Sequence, residues 1–306
     1  MECDREIRYD GRDPREPSCI RKATMMPHPL VSIIVPTYYS ASQLETCFSS
    51  IRKQTYRNIE LIVVDNHSKD STREIAKKYD ARFFTAGPDQ SKERIFGAPF
   101  QRNFGFRQSK GEYVYYVDAD MSLPEGLISE CVEVIQGDDR CKAVIVAEES
   151  FGVGFWAKCK WLERRTYWGD DFVEAPRFFE KKAIEAMGYL DDTVGADDWD
   201  LALRIREAGY VILRTTRHIM HDEGALSLGK LIRKRFLYGK DAYKFGKKHG
   251  GKKFVQYFNP FKASYFRHFG FLLSHPILLI GMVFMRACEY AGGGAGMVYG
   301  KFIMKR

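Results

Sequence analysis

No Cys-x-x-Cys pair occurs in the 306 residues, and the seven cysteines are scattered and odd in number. That excludes a disulfide framework and a zinc site of the usual spacing, and it points to a reducing, cytosolic setting for the folded body. The first residues, MECDREIRYDGRDPREPSC, carry charges but no apolar core, so they do not read as a secretory signal. Residues 1–28 are expected to form a polar, disordered leader, with Met25 or Met26 as an alternative start. There is no internal repeat and no low-complexity block beyond a small glycine cluster at 292–296. The longest apolar run, FGFLLSHPILLIGMVFM, has 17 residues (269–285), against the roughly 20 that a membrane span needs, and Pro276 interrupts it.

Acidic residues are nearly absent from one region. From Lys230 to Arg306 there are eleven lysines and five arginines against Asp241 and Glu289, a net charge of +14 within a chain of net +8. The rest of the chain is therefore acidic, at −6. A basic, aromatic tail on an acidic body predicts that the tail meets something anionic, a nucleic acid or a membrane surface. No zinc-finger, KH or RRM pattern is present, and the apolar 269–285 segment favours the membrane over nucleic acid. Helices embedded in one leaflet or re-entrant are expected there; a buried hairpin and a true span are the alternatives. Gly292, Gly296 and Gly300, spaced four apart, form a small-residue packing pattern.

The first half of the chain alternates strand and helix patterns. Strands are expected at 30–37 (LVSIIVPT), 59–65 (IELIVVD), 81–86, 112–119 (EYVYYVDA) and 141–148 (CKAVIVAE). Helices are expected at 40–54, at 70–79 capped by Asp70 or Ser71, at about 98–109, and at 124–136 with Pro124 in the first turn. Five such alternations predict a doubly wound, mostly parallel α/β sheet, with ligands at the C-terminal strand ends. Thr37, Asp65, Asp118 and Asp120 all fall at such ends. After residue 150 the pattern changes. The segment 151–172 is aromatic and irregular, unlike a sheet unit, and suits either an acceptor site or plain core packing. DDWDLALRIREAG (197–209) is a helix stopped by Gly209, one or two strands follow and end at His221, and 227 to about 248 is a basic helix.

Two carboxylates one residue apart, Asp118 and Asp120, suit a hard divalent cation with oxygen ligands, although D-x-D also occurs as a pair of solvated turn acids. Asp197, Asp198 and Asp200 crowd the first turn of a helix. Helix-dipole attraction of about 0.3–1 kcal/mol per charge tolerates this, and crowding is expected to raise at least one pKa toward general-base work. Plain N-capping is the competing role.

IIVPTY, VVDNHSKDST, QRNFGFRQSKGEYVYYVDAD and GADDWDLALRI, in this order, resemble the family-2 glycosyltransferases of the GT-A type over about residues 30–225. The resemblance implies a metal-dependent hexosyltransferase using a nucleotide sugar, a UDP- or GDP-sugar, with Mn²⁺ or Mg²⁺. It assigns nucleotide binding to Pro36, Thr37, Tyr38, Asp65, Arg102 and Asp118, and metal binding to Asp120. Asp65 could otherwise be a turn acid, and Arg102 a surface ion pair. Asp198 corresponds to the catalytic base, and Asp197 stands where the family usually has Glu. A metal-binding His is often found after this helix. His221 is preferred to His218, because the two have opposite strand parity and His221 ends the strand. Asp197, Trp199, Arg233 and Arg235 are further candidates for substrate or phosphate contacts.

The expected organisation is a leader (1–28), a GT-A catalytic domain (29–225) and a basic, membrane-associating extension (226–306), peripheral or monotopic on the cytoplasmic face. The acceptor is expected to be a lipid-linked glycan or a polyprenyl phosphate. The processive-synthase Q-x-x-R-W pattern is absent, which favours transfer of a single sugar. PTYYSASQLE after the first strand has no glycine, which argues against a sugar nucleotidyltransferase. A catalytically inactive nucleotide-sugar-binding relative is the remaining alternative.

Overall fold

Residues 28–87, 97–189 and 197–302 of the computed structural model are described below. The expected leader, apart from His28, lies outside them, as do Gly195 and Ala196 of the GADDWD motif. The chain runs β1 (Val31–Thr37), α1 (Ala41–Arg52), β2 (Ile59–Asp65), α2 (Thr72–Lys78), β3 (Arg82–Thr85), α3 (Ala98–Gln108), β4 (Tyr113–Tyr116), β5 (Met121–Ser122), α4 (Leu127–Gln136) and β6 (Cys141–Ile145). It continues β7 (Glu148–Val153), α5 (Phe155–Tyr167), β8 (Pro176–Glu180), α6 (Lys181–Met187), α7 (Asp197–Glu207), β9 (Val211–Arg214) and β10 (Ile219–Ala225). Helices α8 (Leu228–His249), α9 (Gly251–Phe258), α10 (Ala263–Arg267), α11 (Phe269–Leu273) and α12 (Pro276–Phe302) follow.

The main sheet has the order β3-β2-β1-β4-β8-β6-β9, parallel throughout except for β8, which runs antiparallel to both neighbours. Strand β1 is apolar on both faces because both are covered. Val31, Ile33 and Val35 join one core cluster and Ile34 the other. Gly105 lets α3 lie against the sheet, since a Cβ there would meet Ile34 and Val64 side chains. Thr37 and Asp65 are paired residues at the ends of β1 and β2, and Val117 donates to Ile34 O just past β4. The strand ends at Asp65, Thr37 and Asp118 therefore lie along one edge of the sheet.

A second sheet, β5-β10-β7, sits at that edge. Its short strand β5 pairs antiparallel with β10 in a register that sets His221 opposite Met121. Strand β10 runs past His221 to Ala225, longer than expected, because it gains β7 as a parallel partner.

Several boundaries differ from expectation for local reasons. Pro124 precedes α4 instead of opening it, because Gly126 takes a left-handed conformation (φ 79°) before the helix begins. The 151–172 segment is regular: β7 ends, Gly154 (φ 94°) turns the chain, and α5 follows. Its mixture of aromatics with Lys160, Glu163 and Arg164 hides the helical period, since both kinds of side chain are buried. Pro276 does not interrupt an apolar helix but starts one, as its missing N–H and fixed φ allow at a first turn.

Helix α12 packs along α8. A Cβ at Gly292 would press on Ile232, one at Gly296 would collide with Phe236 O, and one at Gly300 with Lys240 O. The glycine spacing is thus a close helix crossing within the chain. Residues 269–285 form short α11 and the first turns of α12, a helix whose buried stripe includes Gly281, Met282, Met285 and Glu289. Among the described residues α12 is the one helix long and apolar enough to cross a membrane.

Candidate functional site

The loops after β1 and β2 lock together before they present any side chain. Tyr39 N donates to Ser68 Oγ at 2.7 Å and Ala41 N to Asp70 Oδ2 at 3.1 Å. Asp70 also accepts from the Thr72 hydroxyl at 2.6 Å, so it, more than Ser71, ties down the start of α2. Tyr39 (φ 49°) and His67 (φ 58°) both occupy the left-handed region, which non-glycine residues adopt only when their surroundings force it. Buried Asp65 accepts from Thr37 Oγ1 (2.8 Å), Ser68 Oγ (2.6 Å) and Ser68 N (2.7 Å). Tyr38 is exposed beside it. Gln101, one residue before Arg102 in the QRN run, donates to both Thr37 O (2.9 Å) and Val64 O (2.6 Å), joining α3 to the ends of β1 and β2.

A cavity of about 670 Å³ opens past the end of β4. Arg102, Asp118, Asp120, Asp197, Asp198, Trp199 and His221 all line it. Pro36, Thr37, Tyr38 and Asp65 lie along the same sheet edge but outside this lining. Arg102 is buried and reaches three carboxylates: Asp118 Oδ1 at 2.7 Å, and Asp197 Oδ2 and Asp198 Oδ1 at 3.3 Å each. This bridge offsets the crowding expected at the start of α7. Asp200 takes no part in it. Asp200 turns away to Arg204 (2.7 Å), Lys248 (2.7 Å) and His249 (2.6 Å), anchoring α7 to the end of α8.

The other oxygen of Asp118 meets Arg177 at 3.2 Å. Burial works to raise the Asp118 carboxyl, but Arg102 and Arg177 outweigh it and hold the group well below the ordinary carboxylate range. Asp118 is therefore saturated with guanidinium partners, whereas buried Asp120 Oδ1 has no hydrogen-bond partner. Asp120 Oδ2 lies 3.4 Å from His221 Nε2. On the far side of that ring, His221 Nδ1 meets Glu148 Oε2 at 2.9 Å. Burial disfavours the charged imidazole, yet Glu148 and Asp120 push its pKa up to about 10. Glu148 is itself held by Arg177 (2.5 Å) and Arg164 (3.0 Å). His218 lies just before β10 and stacks on Trp168.

An orphan carboxylate oxygen beside an imidazole nitrogen fits a hard divalent cation that takes its remaining ligands from a diphosphate. Among the described residues no group of three or more His, Cys, Asp or Glu side chains is arranged to hold such an ion alone. Asp120 and His221 are thus the side chains whose free donors would fit such a cation, which would need further ligands from outside the protein.

The C-terminal helices close the other end of the cavity. Lys160 of α5 pairs with Glu163 (2.8 Å) and with Glu289 of α12 (3.3 Å), and Arg286 with Glu163 (3.0 Å) and Glu289 (2.7 Å). Arg235 reaches the cavity and Glu289 (3.3 Å). Arg233, two residues earlier on α8, is exposed and outside the lining, because side chains two apart on a helix point to different faces. Trp199 packs on Tyr257 and Phe258 of α9 and donates to Val173 O at 3.2 Å.

Glu148, Arg164, Arg177, Gln101 and the Lys160–Glu289 cluster were not anticipated. Glu148 was within reach, since it ends an apolar run as Asp118 does. The others carry no local signal, because partners distant in sequence define them, 29 residues away in Arg177–Glu148 and 129 in Lys160–Glu289.

Comparison with known proteins gives a consistent picture. The family model described as glycosyl transferase family 2 matches residues 32–188. Glycosyltransferase GlyG of Streptococcus pneumoniae is 35% identical over 113 residues, 36% of each chain. The poly(ribitol-phosphate) beta-N-acetylglucosaminyltransferase TarP of Staphylococcus aureus is 36% identical over 106 residues, 33% of this chain and 31% of TarP. The chain thus matches about a third of the length of these curated relatives. Among solved structures, the mannosyltransferase PcManGT of Pyrobaculum calidifontis, in complex with GDP-Man and Mn²⁺, superposes with a TM-score of 0.61 at 19% identity, covering 90% of this chain and 87% of PcManGT. Staphylococcus aureus TarS 1–349 in complex with UDP-GlcNAc gives 0.53 at 15% identity, covering 89% and 91%. The GT-A fold with its central, mostly parallel sheet is common to these structures, and this chain carries the apolar helix α12.

Proposed function

Because the chain belongs to glycosyl transferase family 2, we propose that it moves one sugar from a nucleoside diphosphate sugar to a lipid-linked acceptor, with inversion at the anomeric carbon. The observation that carries this is the convergence of Arg102, Asp118, Asp120, Asp198 and His221 on one cavity at the C-terminal edge of a parallel sheet. Thr37, Tyr38 and Asp65, on the neighbouring strand ends, receive the base. Asp65 suits a uracil or guanine N–H, because an ionised carboxylate only accepts. Asp120 and His221 would hold the divalent cation, which supplies neutralisation of the departing diphosphate. Asp198 takes the proton of the acceptor hydroxyl as that oxygen attacks the anomeric carbon. The bond from that carbon to the diphosphate breaks in line, and its electron pair leaves on the nucleoside diphosphate. Arg102, which joins Asp198 to Asp118, sets the distance between base and donor.

We take residues 29–225 as the catalytic unit and 226–306 as an extension that walls the acceptor side and rests on the cytoplasmic face of a membrane. The exposed side chains of Phe266, Phe269, Leu273, Ile277 and Ile280 support the membrane contact, together with the extension's positive charge.

Donor hydrolysis tests the reading. A panel of UDP- and GDP-sugars is incubated with the protein in detergent and Mn²⁺ or Mg²⁺, with Asp120→Ala as control. Metal-dependent release of one nucleotide, lost in the variant, is expected. If calorimetry detects no nucleotide-sugar binding, the reading fails. Binding with no release in the presence of any acceptor would make the chain a binding-only relative.

A further inference from the structure

Lys262, just before α10, is buried, and it lines the cavity at the end remote from the sheet. Its Nζ donates to Tyr257 O at 2.7 Å. Among the described residues no carboxylate lies within ion-pair distance of it. A buried ammonium without a counter-ion is costly, and burial, with Arg286 adding to it and Asp170 offsetting it only in part, brings Lys262 down to about 8.

Arg286, which also lines this end, spends Nη1 on Glu163 and Glu289, while its buried Nε has no partner. Two neighbouring cations thus line one cavity, Lys262 without an ion pair and Arg286 with an unpartnered Nε. The surrounding cluster does not absorb the charge. Among the described residues, Lys160, Arg235, Lys262 and Arg286 have only two carboxylates within ion-pair distance, Glu163 and Glu289. The missing partner is an anion. Its carrier is indicated by α12, which turns Arg286 and Glu289 inward while Ile277, Ile280, Val283 and Phe284 stand exposed on its outer side. Gly293 and Gly294 of the same helix also line the cavity, and a Cβ at Gly294 would meet nothing within 4 Å.

Resting on the reading above, we propose that Lys262 and Arg286 form a second anion site in the cavity, which receives the phosphate of a lipid-borne acceptor while the acceptor's hydroxyl faces Asp198. The acceptor is then recognised at two points, a phosphate at the helical end and a hydroxyl at the sheet end.

The test is calorimetric binding of geranyl phosphate, geraniol, sn-glycerol 3-phosphate and inorganic phosphate to the full chain in detergent, with nucleotide-sugar binding measured in the same samples. Geranyl phosphate is expected to bind, and the other three to bind at least about tenfold more weakly, because each lacks the charge or the chain. Lys262→Met should weaken geranyl phosphate about tenfold or more and leave nucleotide-sugar binding unchanged, while Lys262→Arg should retain it. Because Lys262 has no ion pair to lose, Lys262→Met should fold, and a melting temperature at or above that of the parent checks this. Equal binding of geraniol, equal binding of either soluble phosphate, or indifference to Lys262→Met would overturn the proposal. Loss of nucleotide-sugar binding in the parent protein would instead overturn the transferase reading.

Discussion

The two ends of the cavity are both buried networks of charge, and they are unbalanced in opposite senses. At the sheet end, Asp118, Asp120, Glu148, Asp197, Asp198 and Glu223 face Arg102, Arg164, Arg177 and His221, so acids outnumber bases, and Asp120 Oδ1 is unpartnered along with the Nε atoms of Arg102 and Arg164. At the helical end, among the described residues, Lys160, Arg235, Lys262 and Arg286 have two carboxylates within ion-pair distance, Glu163 and Glu289, and Arg286 Nε is unpartnered. Buried charge is tolerated when paired, and an imbalance of either sign leaves a group that water cannot reach. An excess of acid calls for a cation and an excess of base for an anion, so one cavity is prepared for two ligands of opposite charge.

Asp198→Asn strikes the sheet end hardest. It keeps the shape and the contact with Arg102 but removes the group that takes a proton. The kcat is expected to fall by about 10²–10⁴-fold with nucleotide-sugar binding unchanged. Steady-state kinetics beside calorimetry separates the two; a kcat within a fewfold of the parent would deny Asp198 the role of base.

Glu148→Gln probes the support behind that end. Glu148 orients His221 through Nδ1, and groups in that position typically contribute about 10–100-fold to metal affinity. Mn²⁺ titrations followed by electron paramagnetic resonance should show a loss of that size without change in geranyl phosphate binding. Unaltered Mn²⁺ affinity would leave Glu148 as a structural partner of Arg164 and Arg177 alone.

Gly296→Ala addresses the helical end, whose wall depends on α8 and α12 touching along their backbones. The added methyl meets Phe236 O, a backbone atom that cannot step aside, so overpacking of about 1–3 kcal/mol is expected in urea unfolding. Gly294→Ala, two residues earlier with open space around it, should instead stabilise α12 by about 0.5–1 kcal/mol. Equal effects at the two positions would mean that the helix crossing does not hold this wall in place.

The sheet end was far more legible in the sequence than the helical end. Strand periodicity ends visibly at Thr37, Asp65 and Asp118. The helical end depends on phase. Arg233 and Arg235 look alike in sequence, and only the packing of α8 on α12 decides that Arg235 faces inward and Arg233 outward. Lys160, Glu163, Arg286 and Glu289 read as ordinary surface charges until α5 and α12 are brought together. Asp200 shows the converse: it shares a motif with Asp198 yet serves α8, because one residue of a helix turn redirects a side chain by a large angle.

The smallest expected effect also separates the two ends most directly. The folded Lys262 titrates near 8 and the unfolded one near its ordinary 10.5. Below about pH 8 both forms are protonated, and the full cost of burying the charge is present. Between these values the unfolded chain binds more protons than the folded one, so stability should rise with pH across that window. Other lysines and tyrosines titrate there too, so the quantity to follow is the difference between the parent and Lys262→Met. That difference should shrink as pH rises from about 8 toward 10. Bound geranyl phosphate, by supplying the missing negative charge, should keep Lys262 protonated and move the window upward. Sheet-end variants such as Asp198→Asn should leave the window in place. A pH-independent difference would show that Lys262 carries no desolvated charge, and the helical end would lose its surplus.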